Sequence, residues 1–381
     1  MKTNSMCAVF DNVYEYNELQ PITSFRSLST LYFAGKYRLM DFPLSSIVNA
    51  NIREIFMMVN QDKIQSYLDH LGGGKEWGLD TIGSYLEINF AQEMLRKKYE
   101  GVRYFDRIIN FIRNSGSAYV VYIGNKMLAN VDLKAILKFH QVSGNKVTGV
   151  FKQVDRWQIA PDDQLFLFDE ENKVVGNHRI REMSEQEQYN LSMNVYIADA
   201  DWFVDVLDRA QMSGIVPDAT EGLARLMTHE HSSAYEYTGY MQNIHDVKSY
   251  FKANMDMLEK AHYDSLLNGS QKVITRIKNE VGNFYTKTSQ VSQSLVSTGC
   301  KVAGYLDHVV VSRRVKIEED TQIDHSIVIS NTVIKRGAQI SYAIIDKNVV
   351  VEPSVVIKGT PERPVVIRKD QVVTQDVIEG S

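Results

Sequence analysis

The strongest constraint on the fold is a six-residue repeat in the last third of the chain. A first column of positions consists of Val309, Val315, Thr321, Ile327, Val333, Gln339, Ile345, Val351 and Ile357, and a second consists of Val311, Ile317, Ile323 and Ile329. A period of six is typical of a parallel β-helix, in which each repeat puts one apolar side chain into a continuous core. The repeat therefore predicts a β-helix, with these columns facing its interior.

The first two thirds of the chain carry the pattern of an α/β sheet. Apolar runs such as 55–59 and 118–123 alternate with helix-length amphipathic stretches such as 86–98 and 250–267. Such alternation is typical of a sheet with helices on its faces, and 381 residues exceed the usual size of one domain. The predicted division is an α/β domain over 1–270, a linker over 271–290 and the β-helix over 291–381. Ligand chemistry is expected at the carboxyl ends of the strands.

The turn after the first predicted strand lacks the features of a phosphate-binding loop. Ala8, Val9 and Phe10 suit a buried strand, which a nucleotide-binding fold would follow with a glycine-rich turn whose backbone N–H groups face phosphates. Residues 12–18, NVYEYNE, contain no glycine and include two glutamates. Side chains therefore fill the space where a polyphosphate needs bare backbone and positive charge. We predict that this turn is closed to nucleotides.

Longer motifs resemble the ADP-glucose pyrophosphorylase (glucose-1-phosphate adenylyltransferase) family, whose members make the activated sugar for glycogen and starch. The matching segments are FAGKYRLMDFPLS at 33–45, VNANI at 48–52, GYMQNIHD at 239–246 and SYFKANMD at 249–256. The resemblance covers nearly the whole chain. It implies a Rossmann-like nucleotidyltransferase domain with a mixed sheet, followed by a left-handed parallel β-helix.

The charged catalytic positions of that family are replaced here. By the resemblance, the loop arginine falls at Glu18, the loop lysine at Leu28, and the two magnesium-binding aspartates at Asn125 and Asn243. A hard dication prefers anionic oxygen and offsets the charge of the nucleotide phosphates, so an uncharged amide is a poor replacement. The resemblance therefore implies that this chain binds no metal or other cofactor itself, and that Mg²⁺ serves a catalytic partner.

Other positions of the family's site are also changed. Tyr104 and Phe105 stand where relatives carry small residues around the base, so the base pocket is expected to be filled. Ser192 matches a strand beside the sugar phosphate and is the candidate for a vestigial sugar-phosphate contact, with a purely structural serine as the alternative. His245 and Asp246 are alternative metal ligands near Asn243, although a loop histidine is more often structural.

The selective loss of charge favours a non-catalytic regulatory subunit of glucose-1-phosphate adenylyltransferase in glycogen biosynthesis. The resemblance implies assembly with an intact catalytic subunit, expected to be a tetramer, of the type found in low-GC Gram-positive bacteria. One alternative is an active sugar-phosphate nucleotidyltransferase with substitute catalytic residues. Another is a stand-alone effector-binding or scaffolding protein. Under the first hypothesis activity is expected only in the complex.

Three basic residues keep their charge in the otherwise altered N-terminal segment. Arg26, Lys36 and Arg38 are the candidates for binding an anionic effector such as a phosphorylated metabolite, because matched positions in bacterial relatives face an effector site. Guanidinium groups suit phosphates through bidentate, charge-assisted hydrogen bonds. The alternative is that Arg38 and Lys36 pair with acids such as Asp41.

Composition sets the cellular expectations. An excess of five acidic over basic residues does not favour a nucleic-acid partner, and two cysteines give no disulfide framework. No apolar stretch approaches the roughly 20 residues of a membrane helix, so a cytoplasmic protein without a membrane partner is expected. His308 and His325 could serve an acyltransferase, as histidines do in many hexapeptide-repeat proteins, but we favour solvated corner residues.

Overall fold

The computed structural model describes residues 5–213 and 219–379. The chain forms two compact units, each assembled from separate segments. The first contains Met1–Tyr14, Met40–Asn243 and Ser270–Ile274, and the second contains Glu15–Leu39, Ile244–Gly269 and Thr275–Ser381. The predicted linear division at 270 and 291 stays a prediction beside these two discontinuous units.

The helices of the described residues are short, and none is long and apolar enough to cross a membrane. They are α1 (Asp41–Asn49), α2 (Ile64–Leu71), α3 (Ala91–Tyr99), α4 (Asp106–Ser115), α5 (Leu133–Ser143), α6 (Ala200–Ser213), α7 (Ala219–His229), α8 (Val247–Asp256) and α9 (Lys260–Leu267). The predicted helix over 86–98 is wrong in its first half, because residues 85–90 form a strand paired within the sheet. The predicted helix over 250–267 is divided, because the N–H groups of Met257 and Leu258 bond to carbonyls three residues back and end α8.

The first unit contains a mixed nine-stranded sheet. The strands before residue 244 are β1 (Met6–Asn12), β2 (Tyr32–Phe33), β3 (Tyr37–Arg38), β4 (Glu54–Val59), β5 (Tyr85–Phe90), β6 (Tyr119–Ile123), β7 (Met127–Ala129), β8 (Val147–Val154), β9 (Leu165–Phe168), β10 (Val174–His178), β11 (Tyr189–Asp199), β12 (Tyr235–Glu236) and β13 (Met241–Asn243). The main order is β10-β9-β11-β6-β1-β4-β5, with β8 beside β11 and β12. Strands β6, β1, β4 and β5 are parallel, and β11 runs antiparallel to β6. The predicted α/β class with a mixed sheet is confirmed.

Strand β1 lies in the middle of the sheet and is buried on both faces. Side chains alternate between the faces of a strand, so Ala8 and Phe10 pack into one apolar cluster while Cys7 and Val9 pack into another. The first cluster also contains side chains of α1 and α5, and the second contains side chains of α4, α6 and α7. Helices on both faces explain why β1 is apolar almost without interruption.

The second unit contains the β-helix. Its strands are β14 (Phe284–Tyr285), β15 (Gln290–Ser292), β16 (Leu295–Val296), β17 (Lys301–Val302), β18 (Tyr305–Val311), β19 (Lys316–Ile317), β20 (Gln322–Val328), β21 (Val333–Ile334), β22 (Gln339–Ser341), β23 (Ala343–Ile345), β24 (Val350–Val351), β25 (Val356–Lys358), β26 (Val365–Ile367), β27 (Val372–Val373) and β28 (Val377–Ile378). They stack in parallel, β14-β17-β19-β21-β24-β27 on one side and β15-β18-β20-β22-β25-β28 on another, with β16, β23 and β26 completing the coils. The predicted parallel β-helix is confirmed, and its left hand stays a prediction.

Successive coils in the middle of this β-helix are each one residue shorter than three six-residue repeats. Ile323 pairs with Leu306 on one side and with Ile340 on the other, which is a step of 17 residues. The shortened side turns at residues with positive φ that recur at the same step, His308 (55°), His325 (36°) and Tyr342 (48°). Each such coil therefore shifts the strands by one residue relative to a strict six-residue repeat, and the shift is a one-residue slip at this corner.

The slip changes which side chains face the core. Val333 is only half-buried and Gln339 is exposed, whereas Ile334 and Ile340 are buried in their place. A shift of one residue in a strand moves every side chain to the opposite face. The prediction that Val333 and Gln339 face the interior is therefore wrong. Ile327 and Ile329 are buried, but they flank the core residue Val328 and lie outside the β-helix core cluster, whereas the remaining positions of the two columns are buried.

Candidate functional site

The candidate site of the first unit begins at the carboxyl ends of β1 and β6. These strands are parallel neighbours, with Phe10 beside Ile123. Asp11 is 3% exposed, and its carboxylate accepts hydrogen bonds from the Val13 N–H at 3.1 Å and from the Tyr122 hydroxyl. A buried carboxylate thus stands near the end of β1, directly before the turn where nucleotide-binding folds present N–H groups to phosphate, and a carboxylate there repels anions.

The backbone of this turn is bonded within the chain. The carbonyl of Asn12 accepts from the Tyr67 hydroxyl at 3.0 Å, and the carbonyl of Val13 accepts from the Asn60 amide at 3.1 Å. The Tyr14 ring centroid lies 5.0 Å from the Lys126 Nζ, which is a cation–π contact. The turn is therefore held by protein groups where the resemblance places nucleotide phosphates.

Two predicted positions of the lost catalytic loop lie in the second unit. Glu18 is exposed in the short 3-10 turn Asn17–Leu19, and Leu28 is fully buried in the similar turn Leu28–Thr30. An exposed carboxylate and a buried aliphatic side chain cannot supply the positive charge of the family's arginine and lysine.

The alternative metal ligands also lie in the second unit. The His245 ring contacts the Tyr16 ring edge-on, with centroids 6.4 Å apart. Asp246 caps α8, because its carboxylate accepts from the Ser249 N–H at 2.6 Å. Asp246 therefore has a local structural task at a helix N-terminus.

In the first unit, Lys126 and Asn243 meet at the carboxylate of Asp163. Lys126 follows the predicted metal position Asn125, and β7, which comes next, pairs antiparallel with β13, which ends at Asn243. The Lys126 Nζ lies 2.5 Å from Asp163 Oδ1 and 3.5 Å from Asp162 Oδ2. Asn243 Nδ2 donates to Asp163 Oδ2 at 2.6 Å. The structure thus joins the two predicted metal segments through a carboxylate that neither segment contains.

These groups are withdrawn from solvent. The side chains of Lys126 and Asp163 are 2% and 0% exposed, and Asn243 is fully buried. Asn243 Nδ2 also donates to the carbonyl of Gln158 at 2.9 Å, and the Ala160 N–H donates to Asp163 Oδ2 at 2.6 Å. Both partners of Nδ2 are hydrogen-bond acceptors, so the Asn243 amide must turn its N–H groups toward Asp163 and the Gln158 carbonyl.

This arrangement does not suit the Mg²⁺ that the resemblance implies. Mg²⁺ takes oxygen ligands at about 2.0–2.1 Å in a near-octahedral arrangement. Here an ammonium group lies against Asp163, and Asn243 presents N–H groups to the same carboxylate. Over 5–213 and 219–379, no three or more His, Cys, Asp or Glu side chains are grouped so that they could hold a metal ion.

Ser192 lies inside the sheet, 1% exposed, with its Oγ 2.8 Å from the Tyr196 hydroxyl. Close by, Asn194 adopts a φ of 54°, and Gly124 packs so closely that a Cβ at Gly124 would lie 3.2 Å from that of Asn194. The Ser192 hydroxyl is therefore engaged by a neighbouring tyrosine, and its sugar-phosphate contact stays a prediction.

The aromatic residues at the predicted base position are part of the apolar core. Tyr104 and Phe105 are 7% and 9% exposed, and their ring centroids lie 4.5 Å apart. Both belong to the cluster around Cys7 and Val9, and burial raises the pKa of the Tyr104 hydroxyl. Their rings thus serve packing between a helix and the sheet.

The effector candidates lie in the second unit, Arg26 and Arg38 at the Tyr32 ring and Lys36 at the Tyr37 ring. Arg26 is 5% exposed and pairs with Asp346, with 2.8 Å between Nη1 and Oδ1. The Arg38 guanidinium lies 3.4 Å from the Tyr32 ring centroid and donates to the Thr30 carbonyl. Lys36 is exposed and lies 4.9 Å from the ring of its neighbour Tyr37.

Positive charge dominates around Tyr32. Burial by itself raises the pKa of the Tyr32 hydroxyl, but Arg38, Lys347, Arg26 and Lys278 together outweigh that effect and lower it. Partial burial lowers the pKa of Lys278, and Arg313 and Arg38 lower it further. We call Arg26, Arg38, Lys278, Arg313 and Lys347 the cationic cluster of the second unit. Asp346 at Arg26 and Glu280 at Arg313 offset part of this charge, and the remaining surplus attracts an anion.

Sequence reasoning missed Asp11, Lys126 and Asp163. Asp11 could have been found, because it directly follows a buried apolar run at the carboxyl end of a strand. Lys126 stands beside a predicted metal position and offered a weaker signal. Asp163 has no local signature, because only the tertiary structure brings its loop to β7 and β13.

Comparison with known proteins agrees with this architecture. Residues 17–260 match the nucleotidyl transferase family, and residues 280–375 match the GlmU-like C-terminal hexapeptide family. The chain is 30% identical to the glycogen biosynthesis protein GlgD of Bacillus subtilis, over 98% of each chain. It is 29% identical to GlgD of Geobacillus stearothermophilus over 97% of each chain, and 25% identical to the glucose-1-phosphate adenylyltransferase of Bacillus cytotoxicus over 81% of this chain and 82% of that one. The chain therefore belongs to the nucleotidyl transferase family and, within it, to the ADP-glucose pyrophosphorylase group that includes the GlgD proteins.

Proposed function

We propose that this chain acts in glycogen biosynthesis as a non-catalytic regulatory subunit of glucose-1-phosphate adenylyltransferase. Relatives over nearly the whole chain are named glycogen biosynthesis protein GlgD, and a more distant relative is named glucose-1-phosphate adenylyltransferase. The proposed partner is an intact catalytic subunit in a hetero-oligomer, for which a tetramer is the expected size. Mg²⁺ and the nucleotide belong to that partner.

The observation that carries the non-catalytic part is the buried contact of Lys126 and Asn243 with Asp163. Nucleotidyl transfer depends on cations that stabilise the charge of the transferring phosphoryl group. In this chain the ammonium is directed to a protein carboxylate, and Asp11 places a second carboxylate directly before the adjoining turn. Neither arrangement favours a bound polyphosphate.

The observation that supports regulation is the cationic cluster of the second unit. Asp346 neutralises Arg26 by direct contact, whereas the Arg38 guanidinium stacks on Tyr32, and the basic residues near that ring lower the pKa of its hydroxyl. A phosphorylated metabolite would complement this charge. The metabolite would activate the complex only to the extent that it binds the active arrangement more tightly than the inactive one.

Activity is tested with the purified chain, ATP, glucose 1-phosphate and Mg²⁺, by measuring release of pyrophosphate. We expect no turnover from the isolated chain. Release at an ordinary enzymatic rate would contradict the proposal and favour the alternative of an active nucleotidyltransferase with substitute residues.

Assembly is tested by co-expression with a catalytic glucose-1-phosphate adenylyltransferase, followed by mass measurement in solution and by kinetics. We expect a mixed complex whose activity responds to phosphorylated metabolites differently from that of the catalytic chain alone. Arg38→Ala should weaken that response and leave the mass of the complex unchanged. Arg363→Ala is the matched control, because its side chain is 79% exposed and lies outside the cluster. Absence of any mixed complex would favour the stand-alone scaffolding alternative.

A further inference from the structure

We infer that Lys126 is a fixed internal cation that takes the place of the divalent metal in the site of the nucleotidyl transferase family. Its Nζ lies 2.5 Å from Asp163 and 3.5 Å from Asp162, between the segments that carry the two predicted metal positions, Asn125 and Asn243. The inference deepens the non-catalytic part of the proposed function, which rests on the same contact, and its tests measure stability and Mn²⁺ binding of the isolated chain, so they can fail while the proposed regulation holds.

The first argument is charge balance. Asp163 is completely buried, and a buried carboxylate needs a compensating charge or several hydrogen bonds. Lys126 provides that charge from a side chain that is itself 2% exposed. Asp162, which is 41% exposed, adds a second carboxylate on the solvent side of the ammonium. One ammonium thus lies between two carboxylates, as a bridging metal ion would.

The second argument is the direction of the surrounding dipoles. The Asn243 amide and the Ala160 N–H both donate to Asp163 Oδ2, so both turn positive ends toward the carboxylate. These two donors satisfy Oδ2, which leaves Oδ1 to the Lys126 ammonium. The donors around Asp163 are therefore arranged for a carboxylate paired with a protein cation.

The third argument is space. A divalent cation on Asp163 would lie about 2 Å from its oxygen. Lys126 Nζ is already in contact with that carboxylate, so the two cations would touch. Repulsion between them would be weakly screened, because the side chains of both partners are buried.

The arrangement also connects three parts of the first unit. Lys126 lies between β6 and β7, Asp163 lies just before β9, and Asn243 ends β13. In a metal enzyme such segments are drawn together when the metal binds, whereas here the cross-link is a permanent part of the chain. We expect this corner of the unit to be equally stable with and without divalent cations.

The test compares Lys126→Met, Asp163→Asn and the double variant in the full chain by urea unfolding. Breaking a buried ion pair by removing one partner is expected to lower the folding equilibrium constant about 100-fold or more for either single variant. The double variant should lose less than the two single losses combined, because it leaves no unpaired charge. The matched control is Lys146→Met, whose partner Asp199 lies 2.8 Å away at the surface, with the Lys146 side chain 55% exposed. That control should lose no more than about fivefold.

Metal binding is then measured directly with Mn²⁺ by electron paramagnetic resonance. Wild type is expected to bind Mn²⁺ at least tenfold more weakly than Lys126→Met, because removal of the ammonium leaves the two aspartates without their cation. If Lys126→Met does not fold, Lys126→Gln takes its place in the same comparison, with the same tenfold expectation. Equal Mn²⁺ affinity of wild type and Lys126→Met would overturn the inference. So would a loss of stability in Lys126→Met no larger than that of Lys146→Met.

Discussion

Asn243→Asp introduces the aspartate that the resemblance predicts for this position, and we expect it to destabilise the protein. In the structure Asn243 Nδ2 donates to Asp163 Oδ2 at 2.6 Å and to the Gln158 carbonyl at 2.9 Å. The substitution replaces the donor with an acceptor and places a second carboxylate against a fully buried one. The substitution brings the sequence nearer to the family motif, but in the structure it places two carboxylates in contact.

The magnitude follows from two terms. Loss of a hydrogen bond to a charged acceptor costs about 1.5–3 kcal/mol. Two carboxylates about 4 Å apart repel by about 4 kcal/mol at an effective dielectric constant of about 20. The cost of this repulsion cannot exceed the cost of protonating the introduced carboxyl. Protonation costs about 4 kcal/mol at pH 7 for a group with an ordinary pKa near 3.9. Allowing for relaxation, we expect a loss of about 4–6 kcal/mol at pH 7.

The dependence on pH gives a second signature. The pKa of the introduced carboxyl should be raised in the folded state, because its neighbour is anionic and its surroundings are buried. Stability relative to wild type is therefore retained below the unfolded pKa and lost as pH rises through the folded pKa. The loss should be largest near neutral pH and should shrink as the pH is lowered toward about 5.

Urea unfolding followed by tryptophan fluorescence suits this measurement. The three tryptophans, Trp77, Trp157 and Trp202, all belong to the first unit, so the signal reports the unit that contains Asn243. Asn114→Asp is the matched control, because Asn114 is exposed in α4. A loss in Asn243→Asp within about 1 kcal/mol of the control, or a loss that does not change with pH, would refute the reasoning.

Three further outcomes test other parts of the structure. Burial lowers the pKa of His140 in the folded protein, so the unfolded chain binds more protons. The free energy of unfolding should therefore fall as the pH falls through about 6.5, the ordinary pKa of histidine. His140→Gln should flatten that dependence in unfolding curves measured at a series of pH values. Asp346→Asn removes the carboxylate paired with buried Arg26, and should lower the stability of the second unit by about 3–5 kcal/mol, measured by circular dichroism in urea. Ile340→Ala should lower the free energy of unfolding by about 2–5 kcal/mol because Ile340 is buried, and the neighbouring Gln339→Ala should lower it by less than about 0.5 kcal/mol. Equal losses would contradict the 17-residue step.

The main elements of both units could be predicted because their signals are local. A six-residue apolar repeat and apolar runs such as 55–59 and 118–123 reflect side-chain burial within single strands. Residues 85–90 show where this reasoning fails, since an amphipathic stretch of helical length is held as a strand by pairing with β4. Partner strands decide such cases, and the sequence does not say which strands are neighbours.

Residues 18, 28, 125 and 243, where the resemblance predicts catalytic charges, could be read from the chain, because a residue type at a motif position needs no coordinates to be seen. What replaced that charge was not readable. Asp11 bonds across to β6, and Lys126 reaches an aspartate in a distant loop, so their partners depend on how the strands and loops are placed.

By itself the sequence determined the α/β sheet and the parallel β-helix, because both follow from local residue types and spacings. It also predicted that the family's catalytic charges are replaced. Only the tertiary structure decided which side chains of the β-helix face inward after each shortened coil, because one residue omitted at a corner reverses the faces of the next strand. Only the tertiary structure likewise decided that Lys126 lies between Asp162 and Asp163, beside the predicted metal positions. The compensation of a buried charge depends on distance in space and not on distance along the chain.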